Sequence, residues 1–131
     1  MQDIVLDMGE KLFAAHEDAA FRAHPVDTAE GAADWLPELW SKVEELGLPL
    51  ALLTEAQGGF DLPPATAMGL VRLAAANALP LPLGETMMAN WLLAHAGLPL
   101  ADGPATLAIG PCPDGERLTG AAPRVAFGRH A

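Results

Sequence analysis

The chain has 131 residues, 51% of them apolar, with 17 acidic against 7 basic side chains and a formal net charge of -10. That length suits one domain with its own core, and so large an apolar fraction excludes wholesale disorder. The acidic balance argues against nucleic acid and anionic membrane as partners, because both are bound by clustered lysine and arginine. A single cysteine, Cys112, rules out an intrachain disulfide framework and fits a reducing compartment. The N-terminus "MQDIVLDMGEKLF" is acidic where a signal peptide is basic, and no apolar run approaches the roughly 20 residues that span a bilayer. A cytoplasmic location is the expectation.

In chain order, residues 3 to 23 read as a surface helix with a buried stripe of Ile4, Met8, Leu12, Ala15 and Ala19. "AHPVDTAEGA", residues 24 to 33, breaks that pattern into a loop. A second helix starts at Asp34, a good N-cap, with Pro37 tolerated in its first turn. Leu36, Leu39, Trp40, Val43 and Leu46 supply the strongest helical period in the chain, and Gly47 is placed as a left-handed stop. If Leu39 and Val43 are core, truncating either to alanine costs about 2 to 4 kcal/mol. Helices over 65 to 78 and 83 to 96 follow, separated by Pro80 and Pro82 and closed by Gly97.

After Gly97 the chain is dense in glycine and proline, and its apolar runs at 105 to 109 and 124 to 127 read as short strands. Two or three such strands leave open edges in water. The expected fold is therefore mainly α, a helical bundle over residues 1 to 101 followed by a short, incomplete β segment over 102 to 131. A longer chain or another subunit would complete that sheet.

The stretch "LPELWSKVEELGLPLALLTEAQGGFD" resembles the N-terminal helical domain of the acyl-CoA dehydrogenases. There a helix ending in Leu-Gly-Leu leads through a short apolar run to Pro-Glu and a Gly-Gly loop. Leu46, Gly47 and Leu48 match the helix end, Glu55, Gly58 and Gly59 match the loop, and Thr54 stands where the family usually has proline. "ANALPLPLGETMMANWLLAHAG" is similar to the family's next helix pair, and "LTGAAPRVAFGRHA" to the strand that begins its middle β domain. The resemblance spans nearly the whole chain but only about the first third of a typical member.

The resemblance implies a bundle of acyl-CoA dehydrogenase type and an FAD-dependent oxidation of an acyl-CoA thioester to the 2,3-enoyl-CoA. In that reaction a carboxylate takes the α-proton while the β-hydrogen leaves as hydride to the flavin. The family's base lies in a C-terminal helical domain, and its usual Thr-Glu-Pro-x-x-Gly-Ser-Asp stretch is absent here, so no residue is assigned a catalytic role and no cofactor-binding residue is named. What the resemblance leaves to this segment is one wall of the acyl pocket, with Ala75, Ala76, Leu79, Leu83 and Met87 as the substrate-binding candidates, and contacts in a homo- or hetero-oligomer. Bland readings compete: Ala74, Ala75 and Ala76 are good helix formers, Met87 and Met88 fill cores, and Asn77 and Glu85 suit helix ends. The alternative function is a non-catalytic helical interaction module, or a subunit completing a hetero-oligomer.

Other chemistries fail on spacing. His16, His24, His95 and His130 form no His-x3-His pair, and Cys112 sits between prolines with no sign of activation. Ser41 lies inside a helix without a Gly-x-Ser-x-Gly elbow, and the glycines at 103, 110, 115 and 120 spell neither a dinucleotide fingerprint nor a P-loop.

Overall fold

A computed structural model of the chain describes residues 2–16, 37–79, 81–110, 112–115, 117–122 and 125. Among them are four α-helices: α1 (Gln2–Ala14), α2 (Pro37–Glu45), α3 (Pro64–Ala76) and α4 (Leu83–His95). Two single 3-10 turns, Leu48–Leu50 and Glu55–Gln57, lie between α2 and α3. Strands β1 (Cys112–Asp114) and β2 (Arg117–Thr119) pair antiparallel, with Pro113 opposite Leu118 and the chain reversing at Gly115. The fold is mainly helical, and no described helix is long and apolar enough to cross a membrane.

One core joins all four helices. Val5 and Phe13 of α1, Leu39, Trp40 and Val43 of α2, Leu70 of α3, and Leu83 and Met87 of α4 are buried in it together. Helix α1 lies on α3, and α4 lies on the 48–50 turn, which also meets α2. The spacing read for α2 therefore holds at Leu39, Trp40 and Val43, while Asp34 and Leu36 fall outside the described residues. Gly47, at φ +71°, is the left-handed stop expected of it.

Helix α1 corrects the sequence reading by one residue. The fully buried stripe is Val5, Gly9 and Phe13; of the expected residues Ile4 is 61% exposed, while Met8 and Leu12 are partly buried and pack against the core from its flank. The reason is Gly9, where a Cβ would come within 2.6 Å of Leu70 Cδ2. A bare backbone lets α3 approach on that side, and the helix turns to present it. The helix stops at Ala14, with Ala15 exposed, and residues 17 to 23 of the expected helix, Ala19 among them, lie outside the described residues.

The β segment also differs. Residues 105 to 109 are not a strand but irregular chain, and Cys112 starts a strand rather than sitting in a loop. Residues 124 and 126–127 of the second expected strand lie outside the described residues.

Candidate functional site

The segment from Gly47 to Leu62 closes on itself. The buried Leu53 carbonyl accepts the Asp61 N–H at 2.7 Å, the Ala51 carbonyl accepts the Leu62 N–H at 3.0 Å, and the Thr54 carbonyl accepts the Gly59 N–H at 2.9 Å. Within this closed loop the two glycines have different tasks. Gly58 turns at φ +86° with open space around it. Gly59 is packed so closely that a Cβ would overlap the carbonyl oxygens of Leu50 and Leu53, which are backbone and cannot swing away. The double glycine is thus one residue for angle and one for space. Thr54 uses the N–H that a proline there would lack: it donates to Gln57 Oε1 at 3.1 Å, and the Thr54 hydroxyl reaches the same oxygen at 3.1 Å.

Helices α3 and α4 hold the residues named for an acyl pocket, and they divide between two environments. Ala75 and Ala76 are exposed on α3, whereas Leu79, Leu83 and Met87 are buried in the core. The turn between them is a Schellman end: the Leu79 N–H bonds the Ala74 carbonyl at 3.0 Å and the Ala78 N–H the Ala75 carbonyl at 2.9 Å. Ala78 takes the left-handed position, φ +53°, usually filled by glycine. Asn77 acts as a cap, its Nδ2 donating to the Leu73 carbonyl at 2.8 Å.

Two buried polar residues escaped the sequence reading. Thr86 and Asn90, one turn apart on α4, are 1% and 2% exposed. Asn90 Oδ1 accepts the Ala101 N–H at 3.0 Å, and its Nδ2 donates to the Pro49 carbonyl at 3.4 Å. The Thr86 hydroxyl accepts the Ala105 N–H at 3.1 Å and has one proton for two carbonyls, Pro82 at 2.6 Å and Ala105 at 3.1 Å. Four residues of chain are thereby matched to four residues of helix, running the opposite way. Fully extended chain would overshoot that spacing about twofold, so the chain bends at Asp102 and Gly103 between the two anchors. The sequence signal was two uncharged polar residues at i and i+4 on the face of the helix that also carries Leu83 and Met87.

Beside Asn90 lies a cleft of about 230 Å³, lined by Glu44, Gly47, Pro49, Leu50, Ala101, Asp102 and Gly103 as well. A groove of about 400 Å³ runs between α1 and α3, lined by Leu6, Glu10, Gly69, Arg72, Leu73 and Ala76. Neither suits a flavin adenine dinucleotide. The first is lined by two acids, Glu44 and Asp102, and no cation, and the second by a single cation, Arg72, with one acid, Glu10, where a diphosphate needs clustered cations.

The remaining candidates have structural tasks. His16 Nδ1 lies 2.8 Å from the Leu12 carbonyl, and its Nε2 lies 3.4 Å from Lys42 Nζ, so the ring bridges α1 to α2. The Ser41 hydroxyl donates to the Pro37 carbonyl at 3.1 Å. Hydrogen bonding to Asp7, then its charge, holds the exposed Lys11 ammonium above the usual lysine range. Among the described residues no three His, Cys, Asp or Glu side chains are placed to hold a metal; His24 and His130 lie outside them.

Comparison of the chain with protein-family models, with curated proteins and with solved structures finds no match.

Proposed function

We propose that the chain is the N-terminal helical part of an acyl-CoA dehydrogenase-like flavoprotein, in which it is scaffold and pocket wall rather than reaction centre. The observation that carries this reading is the Gly47–Leu62 crossover. A helix ending in Leu-Gly-Leu, an apolar turn, Glu55 and a Gly-Gly pair follow in the family's order, and Gly59 has a physical reason to be glycine. In this reading FAD and the catalytic base belong to other parts of such an enzyme, and the chain adds no catalytic residue. Its acyl contacts would come from the α3–α4 pair, with Ala75 and Ala76 at the surface and Leu79, Leu83 and Met87 supporting them from inside. Titrating the ¹⁵N-labelled chain with octanoyl-CoA and with free CoA tests it. Amide shifts over residues 75 to 87 that require the acyl chain are the expected result, and identical spectra with both ligands would discard the pocket wall.

A second reading, a helical interaction module, is favoured by the outer face of α4. Met88, Trp91 and Leu92 are 38%, 41% and 47% exposed there, apolar side chains outside a helix that is already apolar inside. A helix apolar on both sides is ordinarily covered on both.

A further inference from the structure

The outer face of α4 has a self-complementary order. Glu85, Met88, Leu92 and His95 follow at steps of three, four and three, with Trp91 beside them, so they form one stripe. Trp91 and His95 stack, their ring centroids 5.3 Å apart and their planes 15° from parallel. The stripe carries one acid, Glu85, near its start, one imidazole, His95, at its end, and no lysine or arginine.

We propose that this stripe is the contact between two copies of the chain, with α4 lying antiparallel to α4 of the partner copy about a two-fold axis near residue 90. In that register Glu85 of each copy faces His95 of the other, and Met88 faces Leu92, so a carboxylate meets an imidazole N–H at both ends of an apolar seam centred near Trp91. A register shifted by one residue, with the axis at 91, would instead set Glu85 opposite Gly97, beyond the end of the helix, and leave the carboxylate without a partner. A net charge of -10 on each copy opposes association, and this stripe, with one acid, one imidazole and otherwise apolar side chains, adds little to that repulsion. The inference deepens the interaction reading and is independent of the acyl-CoA one, since a dimer forms with or without a thioester.

Sedimentation equilibrium of the reduced 131-residue chain tests it. The expected result is a reversible monomer–dimer equilibrium that Leu92→Glu abolishes without moving the thermal midpoint measured at concentrations where both chains are monomeric, because Leu92 is half exposed. Met88→Lys serves the same purpose should Leu92→Glu fail to fold. Glu85→Lys should weaken the dimer roughly tenfold or more, and Glu85→Lys with His95→Glu should recover most of that loss, since the swap sets a lysine against a glutamate across the axis. A chain that stays monomeric at every concentration leaves the face to a different polypeptide and overturns the proposal. So does a dimer indifferent to Leu92→Glu, or a double variant no tighter than Glu85→Lys alone.

Discussion

Two irregular segments meet α4, residues 47 to 62 through the Leu48–Leu50 turn and residues 97 to 105 just after its end, and they satisfy their backbone by opposite means. The first bonds mainly to itself, through the Ala51, Leu53 and Thr54 carbonyls. Gly97 delivers the second from a Schellman end, its N–H on the Ala94 carbonyl at 3.1 Å and the Leu98 N–H on the Leu93 carbonyl at 2.9 Å. That segment then depends on two side chains of its host helix, Thr86 and Asn90. A self-bonded loop is limited by space, and a side-chain-bonded segment by the identity of its anchors.

Substitutions separate the two. Gly59→Ala should break the first segment and cost about 3 kcal/mol in urea unfolding, because the methyl meets fixed carbonyls rather than a side chain that can turn away. Asn90→Ala should cost about 2 kcal/mol, since it removes the partner of the Ala101 N–H and the tie to Pro49. Hydrogen exchange should then quicken at Ala101 while Asp61 and Leu62 keep their protection. Thr86→Val keeps the shape and loses the hydroxyl, for about 1 kcal/mol and faster exchange at Ala105.

Smaller changes sharpen the comparison at the helix ends. Ala78 and Gly97 hold the same left-handed position in two Schellman ends, at φ +53° and +69°. Ala78→Gly should therefore raise stability by about 0.5 kcal/mol, relief of strain exceeding the entropy that glycine loses. Thr54→Pro, which restores the residue usual in the family resembled, should change the unfolding midpoint least of all. Thr54 already sits at φ -66°, so the gain in rigidity partly offsets the loss of its N–H and hydroxyl bonds to Gln57, both of which lie at the exposed surface.

Local pattern was enough for α2, α3 and α4, for the stop at Gly47 and for a turn at Gly58 and Gly59, because periodicity and left-handed angles belong to a few adjacent residues. It was not enough for α1, where Ile4, Met8 and Leu12 make as good a stripe as Val5 and Phe13. Only the approach of Leu70 to Gly9 chose between them, and glycine adds no hydropathy to signal that. Nor could composition show that residues 105 to 109 are not a strand, since Ala105 is bonded to Thr86, 19 residues away, rather than to a neighbouring strand. The sequence by itself determined that α2, α3 and α4 are helical and that the chain turns at Gly47 and at the Gly58–Gly59 pair. The tertiary structure alone decided which face of α1 is inside, which alanines of α3 stay exposed and which backbone groups Thr86 and Asn90 hold, because close approach and buried hydrogen bonds need two distant segments in contact.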